Sequence, residues 1–328
     1  MKIVTIIGTR PQYIKLKPFY DYCKNNNVNN IFVDTLQHYS SNVSSVFINE
    51  FNLEIDHNLK ICNKTEKDFI SDGIRKIYNC FEEEKPDVVL VLGDTNTTLC
   101  SSLVANKMGI LSGHIEAGIR CNNRQRPEEI NRIVIDDLTD IHFISREKDN
   151  SNVRNPVYVG DLEYILLNQL NILNVCYDDF LLMTIHRQEN LSKERIKNIF
   201  KFCKEIKEFI IFPIHHRTKK IVEDNNISIP KNISVQNPKS YKEMISLLNS
   251  CGGIITDSGG IIKISPFFGK KCIIPLKETE WDDVVIEGYA TLGLNYQFLR
   301  EKYIERKKDF YLNENCCEII IKSLKDMV

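Results

Sequence analysis

The sequence predicts an α/β protein with two doubly wound parallel sheets. Short apolar runs of strand length alternate with longer amphipathic segments along the whole chain, the pattern of strands and their covering helices. Most of the apolar runs are continuous rather than alternating, as expected for parallel strands that are buried on both faces. The chain has 328 residues, a length that favours two domains over one large core.

The expected elements form two series with a polar stretch between them. In the first series we expect strands at Lys2–Ile7, Ile31–Thr35, Val88–Leu92, Leu111–Ile115 and Ile141–Ile144, with helices at about Pro11–Lys24, Glu66–Glu84, Thr95–Lys107 and Glu128–Leu138. In the second we expect strands at Val157–Val159, Leu181–Ile185, Phe209–Ile214, Ile233–Val235, Gly253–Thr256 and Cys272–Pro275, with helices at about Leu191–Lys207, Lys242–Asn249 and Gly260–Gly269. The proline-bearing segment Arg146–Pro156 predicts a boundary, hence domains at 1–150 and 151–310 that face each other across a ligand-binding cleft.

The composition excludes several classes of partner. With 43 Lys and Arg against 44 Asp and Glu, the net charge of −1 argues against a generic nucleic-acid or anionic-membrane binder. No stretch approaches the ~18–20 apolar residues that span a bilayer, and the start MKIVTIIGTR lacks the features of a secretion signal. The eleven cysteines include no CxxC pair and are interpreted as reduced thiols rather than a zinc site. We therefore expect a cytoplasmic protein without a bound metal.

The first motif is the segment Gly8-Thr9-Arg10-Pro11, which follows the first strand. Glycine permits a tight turn, and proline suits the first position of a helix whose free N–H groups attract anions. Arg10 and Lys15 would add positive charge there. The segment matches neither GxGxxG nor GxxxxGK[ST], so it does not support a dinucleotide or P-loop site. A plain connection with two solvated cations stays open as an alternative.

Two further strand ends in the first half supply carboxylates. Asp94 follows the apolar strand DVVLVL, and Glu116 follows the next strand in the segment GHIEAGIR. Downstream, the segment RPEEINR adds Glu129 and Arg132 at the start of a helix. Because ligands of open α/β sheets bind at the carboxyl ends of the strands, these groups are candidates for a site. Asp94 could instead be a helix cap, and the other charges could be a solvated surface.

The strand ends of the second half are rich in histidine, arginine and glycine. The motifs are HRQEN with His186 and Arg187, PIH with His215, and TDSGG with Ser258, Gly259 and Gly260. A Ser-Gly-Gly segment that opens a helix is suited to phosphate, because small residues let the backbone N–H groups approach the anion. Ser258 lacks the GxSxG surroundings of a nucleophile, and the histidines lack HExxH spacing, so hydrolase and metal sites are disfavoured.

Taken together, these motifs resemble those of the non-hydrolysing UDP-N-acetylglucosamine 2-epimerases. GTRPQYIK, the pair Gln37-His38, GDTNTT, GHIEAGIR, PEEINR, HRQEN, PIH and TDSGG occur in that family's order and approximate spacing, over about residues 1–290. The resemblance implies the GT-B fold: two Rossmann-like lobes, a nucleotide-sugar in the cleft, and a C-terminal helix at 311–328 that crosses back to the first lobe. It also implies a homodimer, and inversion at C2 of a UDP-sugar by elimination of UDP to a 2-acetamidoglucal and re-addition, with no metal, nicotinamide or other cofactor.

The resemblance also assigns roles to residues. Asp94, Glu116 and Glu129 become the candidate acid/base and sugar-contacting carboxylates, and His215 joins them as a candidate catalytic group. The expected substrate- and UDP-binding residues are Arg10, Lys15, Arg132, His186, Arg187, Ser258, Gly259, Gly260 and Glu280. Gln37 and His38 are expected at a second, allosteric site.

The sequence departs from the family pattern in three places. The family usually carries Gln-Glu-Glu after its SGG, where a carboxylate holds the ribose, but here the run is Ile261-Ile262-Lys263-Ile264. This difference predicts weak UDP binding. Gln12 in the first motif and the late segment Thr279-Glu280-Trp281 resemble the branch that acts on modified sugars such as UDP-2,3-diacetamido-glucuronic acid. A hydrolysing epimerase, a GT-B glycosyltransferase and a nucleotide-sugar-binding protein without turnover are the alternatives.

Overall fold

The computed structural model describes residues 1–37, 48–61, 65–170, 172, 180–301 and 304–328. The chain divides into two compact units. Unit 1 comprises Met1–Leu170 together with Tyr311–Val328, and unit 2 comprises Asn171–Phe310. Each unit is built on its own parallel sheet.

Among the described residues, the sheet of unit 1 has seven strands in the order β3-β2-β1-β4-β5-β6-β7, all parallel. Its strands are β1 Ile3–Ile7, β2 Asn30–Asp34, β3 His57–Asn58, β4 Val88–Leu92, β5 Leu111–Ile115, β6 Ile141–Ile144 and β7 Pro156–Tyr158. The central strands β1 and β4 are buried at every position, which explains why they are uninterrupted apolar runs. The order from β3 to β6 is that of the doubly wound dinucleotide-binding fold.

The helices of unit 1 connect these strands. They are α1 Arg10–Asn25, α2 Glu66–Glu84, α3 Asn96–Met108, α4 Pro127–Leu138 and α5 Leu162–Gln169. Their ends follow local rules: the Thr95 side chain accepts from the Thr98 N–H to cap α3, and Gly109 ends that helix at φ +68°. Proline at the first position of α4 suits the helix start.

Unit 2 repeats the same topology. Within the part of unit 2 that the structure describes, six parallel strands have the order β10-β9-β8-β11-β12-β13. The strands are β8 Phe180–Thr184, β9 Phe209–Pro213, β10 Ile233–Gln236, β11 Gly253–Thr256, β12 Cys272–Ile274 and β13 Ala290–Leu292. The helices are α6 Lys193–Lys204, α7 His216–Asp224, α8 Tyr241–Ser250, α9 Gly259–Phe268, α10 Asp282–Ile286 and α11 Tyr296–Arg300.

The predicted fold class of two doubly wound parallel sheets is confirmed. The strands β4, β5, β6 and β11 and the helix α2 have the bounds expected from the sequence. One expectation was wrong: the strand at Val157–Val159 was placed at the start of the second series, but β7 pairs with β6 as the edge of the first sheet. The polar segment before it does not separate sheets; it contains a short 3-10 helix at Glu147–Asn152 on the connection between two neighbouring strands. Unit 1 therefore extends through α5 to Leu170 rather than ending near residue 150.

The last helix, α12 Cys316–Lys325, belongs to unit 1. Its apolar face is buried, and a Cβ added at Gly113 of β5 would lie 3.2 Å from the Leu324 side chain. The close approach shows α12 packed directly on the sheet. Of the helices in the described residues, none is long and apolar enough to cross a membrane.

Candidate functional site

Most of the candidate residues of unit 1 lie on the loops that follow β1, β4 and β5 or in the first turns of the helices after them. These three strands are neighbours in the sheet and run parallel, so their carboxyl ends meet at one edge. The sequence motifs around Arg10, Asp94 and Glu116 therefore come together in space. This edge is where open α/β sheets bind their ligands.

Gln12 holds two of these loops together. Its Oε1 accepts from the N–H groups of Gly8, at 2.9 Å, and Thr9, at 3.0 Å, while its Nε2 donates to the Leu92 carbonyl at 2.7 Å. The side chain is buried, and it ties the end of β1 to the end of β4 through neutral hydrogen bonds. The Gln12 amide is thus a structural link, at one of the three positions where the sequence departs from the family pattern.

Lys15 and Glu116 form a close ion pair across this edge. The Lys15 Nζ lies 2.7 and 2.6 Å from the two carboxylate oxygens, and Glu116 is only 8% exposed. Glu116 has φ +64°, a left-handed conformation that is costly for a residue with a side chain and is concentrated at functional sites. The strained backbone aims the carboxylate at the α1 lysine.

Asp94, Glu129 and Arg132 form a second charged cluster. Arg132 Nη2 lies 2.6 Å from Asp94 Oδ2, and Nη1 lies 3.2 Å from Glu129 Oε2. Glu129 is almost fully buried and accepts from the N–H groups of Cys121, at 3.0 Å, and Asn122, at 2.9 Å. Burial raises the pKa of Glu129, but these hydrogen bonds and the Arg132 charge outweigh it, so the pKa is lowered. Asp94 is the more accessible carboxylate, with a side chain 29% exposed.

The other predicted residues of unit 1 have different surroundings. Arg10 begins α1, and its pKa is lowered chiefly by burial, against the opposing charge of Glu50. The Gln37 side-chain oxygen accepts from the Thr97 N–H at 3.0 Å and from its hydroxyl at 2.8 Å, so it holds the first turn of α3. His38, the other expected residue of a second site, lies outside the described residues.

In unit 2, the buried Asp257 organises the loop after β8. Its Oδ1 accepts from the His186 N–H at 2.9 Å, and its Oδ2 accepts from the Arg187 N–H at 3.0 Å and from Asn190 Nδ2 at 2.9 Å. Its side chain is completely inaccessible. One carboxylate at the end of β11 thereby fixes the loop that carries two predicted ligand-binding residues.

Arg187 and Glu280 pair beside the Ser-Gly-Gly segment. Arg187 Nη1 lies 3.1 Å from Glu280 Oε2, and Arg187 Nη2 donates a hydrogen bond to Glu280 Oε1. Burial lowers the pKa of Arg187, but the charge and hydrogen bonds of Glu280 outweigh it and raise the pKa. A Cβ on Gly259 would lie 2.6 Å from Glu280 Oε1 and 2.8 Å from Arg187 Nη2, whereas a Cβ on Gly260 would meet nothing within 4 Å. A side chain at position 259 would therefore have to displace this pair.

The predicted histidines and Ser258 lie at neighbouring strand ends of unit 2. The His186 and His215 rings are 5.6 Å apart, and His186 Nδ1 is 3.4 Å from Asp257 Oδ1. His215 caps α7 by accepting from the Arg217 N–H at 3.3 Å. Ser258 precedes α9 without a side-chain capping bond. Cationic, aromatic and glycine groups at one edge can bind an anion.

The run that replaces the family's carboxylates is buried. Lys263 is fully inaccessible, with its Nζ 5.8 Å from the Trp281 ring centroid, and Ile264 is 3% exposed. Ile264 packs in the interior of unit 2. The sequence identifies Lys263 and Ile264 as a departure from the family pattern, but the motif alone does not predict that their side chains are buried.

Three positioning residues were missing from the sequence-based site. Gln12, Asn131 and Asp257 hold loops that carry candidate groups, and Asn131 Nδ2 donates to the Asp94 carbonyl at 2.9 Å. All three stand inside the quoted motifs, so their position was a usable signal. Their partners include backbone groups of other loops, which a sequence does not reveal.

Comparisons with known proteins agree with the motifs. The family model described as UDP-N-acetylglucosamine 2-epimerase matches residues 21–302. A UDP-N-acetylglucosamine 2-epimerase homolog from Methanococcus maripaludis is 36% identical over 94% of this chain and 92% of the relative. A UDP-2,3-diacetamido-2,3-dideoxy-D-glucuronate 2-epimerase from Pseudomonas aeruginosa is 35% identical over 89% of this chain and 88% of the relative. The crystal structure of Methanocaldococcus jannaschii UDP-GlcNAc 2-epimerase with UDP-GlcNAc and UDP has a TM-score of 0.87 and 32% identity, covering 99% of this chain and 100% of that one.

Proposed function

This chain belongs to the UDP-N-acetylglucosamine 2-epimerase family, and on that premise we propose that it inverts C2 of a UDP-N-acetylhexosamine, either UDP-GlcNAc or a modified analogue. The observation that carries the proposal is the set of three carboxylates of unit 1, each held by a cation: Glu116 by Lys15, and Asp94 and Glu129 by Arg132. Inversion at C2 needs groups that remove and return a proton there, and carboxylates are suited to both.

The proposed reaction proceeds in two stages. A carboxylate takes the C2 proton while the bond from C1 to UDP breaks, which leaves a 2-acetamidoglucal and UDP. A proton then returns to C2 on the opposite face as UDP adds again to C1. The number of protons and electrons is unchanged over the cycle, so no oxidant or reductant is needed.

The different surroundings of the three carboxylates support different roles for them. We assign proton transfer to Asp94 and Glu116. Glu129 is nearly inaccessible and is held ionised by two backbone N–H groups, so we assign it the role of orienting Arg132 toward Asp94.

We assign UDP binding to the groups of unit 2. Arg187, His186 and His215 supply positive or hydrogen-bonding groups, and Ser258, Gly259 and Gly260 supply the start of α9. Such a set is suited to a diphosphate leaving group, because cations and helix N–H groups stabilise its developing charge. In unit 1, Arg10 and Lys15 are assigned to the substrate as well.

A modified sugar is the finer form of the proposal. The Pseudomonas aeruginosa relative acts on a UDP-diacetamido-glucuronate, by its name. Gln12 and the segment Thr279-Glu280-Trp281 of this chain resemble that branch. A homodimer and a cytoplasmic location remain predictions. The alternatives of a hydrolysing epimerase, a glycosyltransferase and an inactive binding protein are not favoured by the relatives.

The test is to incubate the purified protein in D₂O with UDP-GlcNAc and, separately, with UDP-2,3-diacetamido-glucuronate, and to follow C2 by proton NMR. We expect a C2 epimer that carries deuterium at C2, because the proton passes through carboxylates that exchange with solvent. The Glu116→Gln protein, purified identically, controls for epimerase carried over from the host. Free sugar plus UDP would indicate the hydrolysing reaction, and no product from either substrate would reject the proposal.

A further inference from the structure

A buried histidine connects the loop of Asp94 to helix α4. His114 lies in β5 and is completely inaccessible. Its Nε2 is 2.9 Å from the carbonyl oxygen of Gly93, and its Nδ1 is 2.7 Å from Asp136 Oδ1. A carbonyl oxygen only accepts hydrogen bonds, so the contact with Gly93 requires a hydrogen on Nε2.

The second ring nitrogen faces a carboxylate that is held ionised. Asp136 Oδ2 accepts from the Gly118 N–H at 3.1 Å and lies 2.7 Å from Arg120 Nη1. A guanidinium at this distance and a hydrogen bond from a backbone N–H both favour the ionised form of the Asp136 carboxylate, independently of His114. An ionised Asp136 can only accept at Oδ1, which places a hydrogen on Nδ1 of His114 as well.

We infer that His114 is a doubly protonated imidazolium in the folded protein and that it positions the Gly93–Asp94 peptide for the reaction. The N–H of Gly93 donates to the Ile115 carbonyl at 3.0 Å, so both polar groups of Gly93 are bonded to β5. Removal of the His114 ring would release the Gly93 carbonyl. The positioning role rests on the proposed function, whereas the protonation state does not.

The neighbouring His142 provides a natural comparison. It lies directly opposite His114 on β6, in register, and is equally buried. Its Nε2 is 2.7 Å from the Asp136 carbonyl, but its Nδ1 accepts from the Asn155 N–H, at 3.4 Å, so this ring needs only one hydrogen. The pKa of His142 is lowered, chiefly by burial, and the charge of His114 acts in the same direction. Among the described residues, the charged or titratable groups around His114 thus include Asp136, the Arg120 that pairs with Asp136, and His142.

Nitrogen NMR of the wild-type protein tests the protonation state without any substrate. The seven histidines are labelled with ¹⁵N, and two-bond N–H correlations are recorded at pH 8, above the ordinary histidine pKa of about 6.5. The His114→Gln and His142→Gln proteins assign the two signals by their disappearance. We expect two protonated nitrogens for His114 and one for His142. A bare ring nitrogen on His114 at this pH overturns the inference.

Kinetics test the positioning role. Loss of a charge-assisted hydrogen bond changes an equilibrium or barrier by about ten- to a hundredfold, and we expect His114→Gln to lower kcat by that factor with KM within a few-fold. The matched control is His142→Gln, which removes an equally buried imidazole from the adjacent strand and should change kcat only a few-fold. Equal losses of kcat in both variants, or none in His114→Gln, would contradict positioning. If the wild type epimerises no UDP-sugar, the proposed function fails while the NMR result still decides the charge of His114.

Discussion

Units 1 and 2 share one strand order but carry opposite chemistry at the ends of their strands. In unit 1 the segments after β4 and β5 present carboxylates that are each paired with a cation, and the helix after β1 supplies one of these cations, Lys15. In unit 2 the loops after β8, β9 and β11 present arginine, histidine and glycine, and the organising carboxylate Asp257 is completely buried. The shared fold fixes where the groups stand, and the residues chosen at the strand ends decide what they can do.

The way each unit holds its loops explains part of this difference. Gln12 links two loops of unit 1 with neutral hydrogen bonds. The link therefore adds no charge to an edge whose charged groups are Asp94, Glu116 and their partners. Asp257 links the loop of unit 2 by accepting from backbone N–H groups, so its oxygens are occupied within the loop. We therefore expect variants of unit 1 to affect turnover and variants of unit 2 to affect UDP binding.

The largest expected effect is on turnover. Asp94→Asn and Glu116→Gln should each lower kcat by about 10²–10⁴-fold, the range for a positioned general acid or base, with little change in UDP affinity. Steady-state kinetics on the epimerisation assay measure this. Glu128→Gln is the matched control, because Glu128 is an exposed carboxylate in the first turn of α4. Near-normal kcat in both site variants would show that these carboxylates are structural.

A smaller effect is expected on UDP affinity. Removing Arg187 alone would leave Glu280 buried without its cation, so the pair is replaced together as Arg187→Gln with Glu280→Gln. Calorimetric titration should show UDP binding weakened by about ten- to a hundredfold, the value of a lost charge-assisted contact. The control Arg217→Gln changes the charge of an exposed arginine in unit 2 and should leave affinity within a few-fold. Unchanged binding in the double variant would remove this pair from the UDP site.

The adjacent residues Gly259 and Gly260 differ in the space that a side chain would find at each position. Gly259→Ala places a Cβ against Glu280 and Arg187, so we expect it to lower the free energy of unfolding by about 1–3 kcal/mol, as overpacking does. In Gly260→Ala the added Cβ has no neighbouring atom within 4 Å. This variant should leave the free energy of unfolding unchanged or slightly higher, because alanine is the better helix former. Urea unfolding of both proteins measures the difference. Equal stabilities would mean that the ion pair moves aside at no cost.

The smallest expected effect is a pH dependence in unit 1. The folded-state pKa of Glu129 is lowered, so its stabilising contribution is present above the unfolded pKa of about 4.3 and is lost as pH falls through the lower folded value. The stability difference between the parent and Glu129→Gln should therefore shrink as pH is reduced from 5 toward 3. Urea unfolding at several pH values tests this. A difference that is constant over this range would show that ionisation of Glu129 contributes nothing.

Much of the fold was readable because apolar runs and helix signals are local. Strands such as Val88–Leu92 carry both their length and their burial in the sequence. Helix α7 was missed because HRTKKIVED is almost wholly polar, with only Thr218 and Val222 buried. Strand β7 was assigned to the wrong sheet because the polar segment before it was interpreted as a domain boundary, whereas this segment connects β7 to the neighbouring strand β6.

The site was readable to a similar extent. The order of the motifs is enough to place Asp94, Glu116, Glu129 and Arg132 in the same region, since parallel strands end at one edge. Their pairing was not readable, because ion-pair geometry depends on side chains from separate loops. Ile264 shows the same limit: replacing it with glutamate to bind ribose would bury a carboxylate in the interior rather than restore a ligand.

Helix α12 gives unit 1 a particular order of assembly during synthesis. The helix is encoded after all of unit 2, yet Ile320 and Leu324 are completely buried in unit 1. A ribosome that adds about 5–20 residues per second delivers this part of the core only after every residue of the second sheet has been made. Until then the nascent first sheet exposes the apolar surface that α12 later covers, so unit 1 begins to fold first but is completed last.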